Sequence, residues 1–279
     1  MPNYLPTAIQ RRMKDRYGGI AKRANAYSLR KIVSTYSGNA IRVRRSSDNL
    51  ELDIGFVGKN LNTAALLAHV GGGNGFVVTL YDQSGNARNL TQATAAAQPQ
   101  IVASGAVILR NSKPAILFDG VDDVLSCTIP ALTAHTINLV VTPLNSGADL
   151  GILNYATNTI NQSITTDAGT AVKSYFGSSS NFVSGTSVVG NQSILTRWWN
   201  AAANVNFSDI YRNGIGESVR SGTPSSVSAV TTLSLGRAVA FSQLHFQELN
   251  VYSVPLTILQ RRNLEKEQGS FYKITVFPK

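Results

Sequence analysis

The sequence contains few of the residues that build covalent or metal-held frameworks. Cys127 is the only cysteine among 279 residues, which excludes an intramolecular disulfide and any cysteine-based metal cluster. The three histidines, His69, His135 and His245, lie too far apart in the sequence to form a local metal motif. We therefore expect neither a metal ion nor a cofactor.

Charged residues and long apolar runs are also scarce. Charged residues make up 14% of the chain, against about 25% in typical soluble domains. No stretch approaches the roughly 18 consecutive apolar residues of a membrane span, and the N-terminus lacks the apolar segment of a secretory signal. We expect no membrane partner and no signal peptide. The hydrophobic content of 43% is sufficient for a sizeable core and excludes wholesale disorder.

The net charge of +10 is concentrated at the N-terminus. Residues 1–45 hold eleven basic residues and one acid, whereas the rest of the chain holds fourteen of each. We predict a basic arm over residues 1–26 and one folded domain over residues 27–279. The arm is either a solvated tail or an anchor that orders against an acidic protein surface. The candidate anchoring residues are Arg11, Arg12, Lys14, Arg16, Lys22 and Arg23.

A second basic group lies in a predicted strand. Apolar and basic residues alternate through Arg42 and Arg44, a pattern typical of a strand with one buried face. We expect these arginines and Arg45 to form ion pairs with Asp48 and Asp53. Because few aromatic residues are interleaved with these charges, the group does not resemble a base-stacking surface, and we expect no nucleic-acid partner.

Short β-rich runs joined by turns fill most of the chain, and this spacing indicates an all-β sandwich or jelly roll. The pair Asn213-Gly214 predicts a tight hairpin. Two short helices are predicted, from Leu61 to His69, ended by Gly71, and from Leu256 to Gln268, ended by Gly269.

Several motifs resemble a known family. The segments Ala26–Lys31, Ile41–Asp48 and Tyr81–Asn86 are similar to the N-terminal half of the catalytic domain of α-L-arabinofuranosidase B. The segments Phe118–Asp123 and Tyr211–Gly214 resemble the wider laminin-G-like group. The resemblance implies a concanavalin A-like jelly-roll β-sandwich. Versions of this module also occur in phage virion proteins, often with an added N-terminal segment.

The resemblance also implies where catalytic carboxylates belong. The family uses a Glu from the middle of the domain and an Asp after a glycine pair, which correspond here to the regions Val172–Gly185 and Leu235–Ala238. Neither region contains an acid, and the family's paired cysteines are missing. We therefore expect no catalytic residue and no enzymatic activity. The other carboxylates of interest, Asp209, Glu217 and Glu248, are interpreted as surface or turn residues.

Two further groups have alternative interpretations. The carboxylates of Asp119, Asp122 and Asp123 offer the oxygen ligands that Ca²⁺ prefers, but Asp also forms local turns with its own backbone, which we favour. Trp198 and Trp199 are candidate glycan-binding residues. Because adjacent strand residues face opposite sides of a sheet, at most one of them is expected to be exposed.

These observations lead to one main hypothesis and two alternatives. The main hypothesis is a non-catalytic structural protein of a phage virion, a capsid decoration, head fibre or tail component. It would assemble in the host cytoplasm in many copies and bind other virion proteins through the arm. The first alternative is a carbohydrate-binding module for host or environmental glycans, including cell-surface polysaccharide. The second is an α-L-arabinofuranosidase-like glycoside hydrolase.

Overall fold

The fold was analysed in a computed structural model. The structure describes residues 23–130, 134–147, 150–154, 163–166, 172–176, 180–183, 187–200, 207–216, 219–221 and 231–277. Of residues Ala134, Tyr175, Phe176, Ser180–Val183, Trp198–Asn200, Phe207–Asp209 and Val219–Ser221, only the backbone is described.

Short strands dominate the described part of the chain. In the first half they are β1 (Arg23–Ser28), β2 (Ile41–Arg45), β3 (Glu51–Ile54), β4 (Phe56–Val57), β5 (Asn60–Leu61), β6 (Gly75–Leu80), β7 (Leu90–Thr91), β8 (Gln100–Ala103), β9 (Ala106–Val107), β10 (Leu109–Arg110), β11 (Lys113–Pro114), β12 (Ile116–Asp119) and β13 (Leu125–Thr128). In the second half they are β14 (Ala134–Pro143), β15 (Leu150–Asn154), β16 (Ser163–Thr166), β17 (Val172–Phe176), β18 (Ser180–Val183), β19 (Ser193–Asn200), β20 (Phe207–Arg212), β21 (Ile215–Gly216), β22 (Val219–Ser221), β23 (Thr232–Leu235), β24 (Ala240–Phe241) and β25 (Gln243–Tyr252).

The strand pairings form two long, mostly antiparallel runs. In the first, β25 pairs with β1 and β12 on one side and with β14 on the other, and β19 and β20 follow β14. The second run has the order β3-β2-β6-β7-β13-β23-β15-β16-β17-β18-β22. Strand β8 pairs with both β6 and β12 and so connects the two runs.

The sheets enclose a large apolar core to which both runs contribute, including Ile41 and Leu125 from the second run and Leu139, Phe246 and Leu249 from the first. The described residues form a concanavalin-like jelly-roll β-sandwich with two helices. The predicted fold class is therefore confirmed.

Helix α1 spans Thr63–Val70, and a single 3-10 turn spans Ala95–Ala97. The side chain of Asn62 caps the start of α1 by accepting a hydrogen bond from the amide of Ala65 at 3.1 Å. Gly71 ends the helix with a φ of +65°, a backbone conformation that favours glycine. The end at Gly71 agrees with the prediction from sequence, whereas the helix begins at Thr63, two residues after the predicted start at Leu61.

Helix α2 spans Ile258–Tyr272 and is longer than predicted. It begins with a capping box in which Thr257 and Gln260 bond to each other's backbone amides. The predicted end at Gly269 is wrong, because the helix continues to a left-handed cap at Lys273. Gly269 is instead needed for space, since a Cβ there would lie 2.6 Å from a methyl carbon of Val276.

The segment Tyr81–Asn86 supports the first strand. Asp82 is buried, and its Oδ1 accepts hydrogen bonds at 2.9 Å from the amides of Ala26 and Ser84. Gln83 donates from Nε2 to the carbonyl oxygens of Ser28 and Arg30. This motif therefore fixes the strand that ends beside Arg30.

Strand β1 begins at Arg23, inside the range predicted as the arm. Arg23 pairs with Tyr252 in β25, and its side chain donates to the Tyr252 hydroxyl at 3.3 Å and to the carbonyl oxygen of Ile32 at 3.0 Å. The division into arm and domain remains a prediction, and the other five candidate anchoring residues lie outside the described residues. They are Arg11, Arg12, Lys14, Arg16 and Lys22.

Neither described helix combines the length and the apolar character that a membrane crossing requires.

Candidate active site

The position at which the resemblance places the family's acid follows strand β23. Gly236 has a φ of +90°, and a Cβ there would lie 2.4 Å from the Phe118 ring and 2.9 Å from the carbonyl oxygen of Asp123. The segment Leu235–Ala238 contains no acid, as noted from sequence. It packs, however, against the turn between β12 and β13, which carries three carboxylates.

These carboxylates, of Asp119, Asp122 and Asp123, have oxygen atoms within 4.8 Å of one another. Asp119 Oδ1 accepts a hydrogen bond from the amide of Val121 at 2.8 Å, and Asp123 Oδ2 accepts one from the amide of Asp119 at 2.8 Å. These bonds confirm the interpretation of the segment as an Asp-stabilised turn. The same turn brings three acidic groups together.

Asp123 differs from its two neighbours because it is 5% exposed, whereas Asp119 and Asp122 are exposed. Burial raises the pKa of Asp123 to about 7, and the charges of Asp119 and Asp122 act in the same direction. The hydrogen bond from the amide of Asp119 only partly opposes this shift. A carboxyl group with this pKa still carries a proton near neutral pH and is suited to proton donation.

Glu248 lies on β25 and is fully buried. It accepts hydrogen bonds from Arg30 Nε at 2.7 Å, Asn250 Nδ2 at 2.9 Å, Gln268 Nε2 at 2.8 Å and the Tyr272 hydroxyl at 3.1 Å. The interpretation of Glu248 as a surface or turn residue is therefore wrong. Burial alone would raise the pKa of Glu248, but the Arg30 charge and these bonds lower it.

Arg30 joins this buried carboxylate to a second carboxylate, which is exposed. Its guanidinium also contacts Glu267 on α2 at 2.5 Å and 2.7 Å and lies 4.6 Å from the centre of the Phe271 ring. Arg30 and Glu248 line one wall of a cavity of about 530 Å³. No local sequence pattern marks the pair, because 218 residues separate its members.

A second buried arginine, Arg197 on β19, was also missed from sequence. Its Nη2 lies 2.9 Å from His135 Nε2, and its Nη1 donates to the carbonyl oxygen of Ser163 at 3.3 Å. Burial, and then the Arg197 charge, hold the pKa of His135 well below its usual value. His135 is therefore neutral at physiological pH.

Two of the three arginines of β2 form the predicted ion pairs, and the prediction is wrong for Arg44. Arg42 contacts Asp53 at 2.8 Å, and Arg45 contacts Asp48 at 2.6 Å. The hydrogen bond from Arg45 is the main cause that lowers the pKa of Asp48 to about 2. Arg44 donates to Gln98 Oε1 at 2.7 Å. These side chains therefore form ion pairs and hydrogen bonds at the surface of the sheet.

The structure describes four other candidates only in part or not at all, namely Trp198, Trp199, Asp209 and Glu217. Trp198 and Trp199 pair with Thr136 and His135 in the sheet, but only their backbones are described. The side chain of Asp209 and all of Glu217 lie outside the described residues.

Comparison with known proteins gives one family match. Residues 17–139 match a family model described as "Alpha-L-arabinofuranosidase B, catalytic". The resemblance is to an arabinofuranosidase catalytic domain. No curated protein matches the sequence.

Two solved arabinofuranosidase structures share the fold. One, complexed with arabinofuranosyl-alpha-1,2-xylobiose, aligns over 90% of this chain with a TM-score of 0.66 and 14% identity. A GH54 α-L-arabinofuranosidase soaked with a cyclic sulfate inhibitor aligns over the same share with a TM-score of 0.61 and 14% identity. The aligned region covers 63% of each of these chains.

These findings correct the main functional hypothesis. The match to a catalytic family contradicts both the non-catalytic phage structural protein and the expectation that the chain is not an enzyme. The comparisons point instead to the hydrolase alternative. The missing acids at two family positions do not show that catalytic residues are absent, because Asp149, Asp167 and Glu217 lie outside the described residues.

Proposed function

We propose that the chain is an arabinofuranosidase-like glycoside hydrolase, which releases L-arabinofuranose from α-L-arabinofuranosides. The observation that carries the proposal is the match of residues 17–139 to the catalytic family. The sandwich fold, shared with arabinofuranosidases over 90% of the chain, supports it.

Glycoside hydrolysis generally requires a proton donor and a second carboxylate on the scissile bond. Asp123 is the described carboxyl group best suited to donate the proton, because its pKa of about 7 keeps it partly protonated at neutral pH. Asp122 is exposed and has a carboxylate oxygen within 4.8 Å of it. This upper bound is below the roughly 6.5–9.5 Å of inverting enzymes, so we assign the pair to the retaining class, whose carboxyl groups lie roughly 5–5.5 Å apart.

In this assignment the Asp122 carboxylate attacks the anomeric carbon while Asp123 protonates the departing oxygen. Water then cleaves the glycosyl–enzyme ester, giving its proton to Asp123 and its hydroxyl to the sugar. Gly236 supports the arrangement, since its missing Cβ lets β23 pack against the backbone of Asp123.

The test is release of 4-nitrophenol from 4-nitrophenyl α-L-arabinofuranoside by the full chain. The Asp123→Asn variant should lower kcat by on the order of 10²-fold or more, the usual contribution of a general acid. Loss of the limb of the pH–rate profile near pH 7 should accompany it. Glu51→Gln, at an exposed position on β3, is the matched control and should leave the rate unchanged.

Two outcomes would contradict different parts of the proposal. No release by the wild-type chain, even at high enzyme concentration, would contradict the hydrolase activity itself. Release that survives Asp123→Asn would contradict the assigned proton donor alone, and the same substitution at Asp149, Asp167 and Asp209, with Glu217→Gln, would then locate it.

A further inference from the structure

A cationic cleft of about 390 Å³ lies where helix α2 ends. Arg110, Arg212 and Lys273 contribute three positive charges to its lining, and none of the described residues that line it is acidic. The cleft shares no residue with the acidic turn at Asp119–Asp123. Its charge therefore favours an anionic ligand.

The walls of the cleft are held by unusual backbone conformations. Asn111, Asn213 and Lys273 have φ angles of 46°, 50° and 57°, in the left-handed region that non-glycine residues seldom adopt. Asn213 makes three hydrogen bonds. Its Oδ1 accepts from the amide of Ile194, its amide donates to the carbonyl oxygen of Ile194, and its carbonyl oxygen accepts from the amide of Phe277. The hairpin turn accounts for Asn213 and the helix cap for Lys273, so the fold itself holds these walls in place.

Two of the cations of the cleft, Arg110 and Lys273, have no carboxylate partner within 4.0 Å among the described residues. One Nη of Arg110 bonds to the carbonyl oxygen of Gly190, but its Nε is buried and has no hydrogen-bond acceptor among the described residues. Because this Nε is buried, an oxyanion in the cleft would bond to the Nη atoms of Arg110 and to the ammonium group of Lys273.

An apolar surface and side-chain amides accompany these charges. The Phe277 side chain is 44% exposed and lines the cleft. Gln192 accepts from Asn111 Nδ2 through its Oε1 and donates from its Nε2 to Gln247 Oε1, which leaves one Nε2 hydrogen of Gln192 for a ligand hydroxyl. Aromatic rings beside a few well-placed polar groups are typical of small-molecule sites.

We propose that this cleft binds an acidic saccharide. Arg110 and Lys273 hold the anionic group of one sugar, a uronate carboxylate or a sulfate ester, and the sugar ring packs on Phe277. This proposal does not depend on the hydrolase activity, because the cleft and the acidic turn are built from different residues.

The experiment is calorimetric titration of the full chain with trigalacturonate, with its methyl ester as the neutral counterpart. A sulfated disaccharide forms a separate arm that distinguishes sulfate from carboxylate. We expect the acidic ligands to bind and the neutral ester to bind at least roughly tenfold more weakly, the ratio equivalent to about 1.4 kcal/mol. Raising the salt concentration should weaken binding of the acidic ligands.

Two variants and one control test the assignment. Arg110→Gln and Lys273→Asn should each raise the Kd roughly tenfold, the effect of losing one charge-assisted hydrogen bond. Asn is chosen at position 273 because it tolerates the left-handed conformation. Lys266→Gln removes an exposed cation from the same helix, outside the cleft, and should leave the Kd unchanged.

Equal affinity for the acidic and neutral ligands would overturn the proposal, as would unchanged affinity in both cleft variants. Absence of binding of every acidic saccharide at millimolar concentration would also overturn it. If inorganic sulfate bound as tightly as the sulfated disaccharide, the contribution of the sugar ring would be refuted. Hydrolysis of the aryl arabinofuranoside should be the same in both cleft variants as in the wild type, which separates this test from that of the hydrolase.

Discussion

Glu248 and Asp123 are both buried carboxyl groups, yet the pKa of the first is lowered and that of the second is raised to about 7. Glu248 faces the Arg30 guanidinium and accepts several side-chain hydrogen bonds. Asp123 has only acidic neighbours among the charges that shift its pKa. Burial penalises the ionised form at both positions, and the presence or absence of a cation decides the outcome.

The two groups therefore have opposite effects on the pH dependence of stability. Because the folded-state pKa of Glu248 is lowered, its ionised form stabilises the fold above the pKa of an unfolded Glu, and this contribution is lost as the pH falls. The folded-state pKa of Asp123 is raised, so ionisation favours the unfolded chain as the pH rises from about 4 to about 7.

The largest expected effect comes from removing the cation at the first site. Arg30→Met should lower the free energy of unfolding at pH 7 by about 3–5 kcal/mol, because it leaves the Glu248 charge buried without its partner. The measurement is urea denaturation. The defect should shrink below pH 5 as Glu248 takes up a proton, and Arg30→Met combined with Glu248→Gln should recover part of it. A loss below about 1 kcal/mol would show that the buried pair stabilises the fold no more than an exposed ion pair does.

An intermediate effect is expected at the second site. Asp123→Asn removes the ionisable group and keeps an oxygen that accepts from the amide of Asp119. The variant should gain stability relative to the wild type as the pH rises from 4 to 8, by up to about 4 kcal/mol for a shift of about three pKa units.

Urea denaturation at both pH values measures this gain. A difference between variant and wild type that does not change with pH would show that Asp123 titrates normally.

The smallest effect should come from an exposed pair. Arg42 and Asp53 contact each other at 2.8 Å with side chains that are 43% and 31% exposed. Arg42→Gln should change the free energy of unfolding by less than about 1 kcal/mol, because solvent screens the pair and each partner remains hydrated when the other is lost. Thermal denaturation at low and high salt measures the change. A loss as large as that of Arg30→Met would mean that burial does not cause the difference in stabilisation expected between the two pairs.

Local sequence signals were sufficient where a structure depends on near neighbours. Asn62 and Gly71 define the ends of α1, and the φ angles of Asn213 and Gly214, 50° and 88°, are those of the tight turn predicted for this pair. Gly269 was misread as a helix end because its requirement is for space beside Val276, seven residues away. A side-chain contact of this kind leaves no signature in the local pattern.

The candidate site could be predicted only in part. The resemblance points to the segment Leu235–Ala238, which contains no acid, and not to the turn packed against it. The three acids of that turn are visible in the sequence. Their nearness to Gly236 depends on the pairing of β13 with β23, whose partners are about a hundred residues apart. The cationic cleft could not be predicted for the same reason, since Arg110 belongs to β10, Arg212 to β20 and Lys273 to the cap of α2.

The sequence by itself determined that this chain forms an all-β sandwich and no intramolecular disulfide, because composition, periodicity and turn residues act locally. Only the tertiary structure decided the ionisation of its carboxyl groups. Nothing in the residues around Glu248 or Asp123 states whether a cation will face them. That depends on which distant strand or helix covers each group, and the electrostatic energy of a buried charge follows from that neighbour.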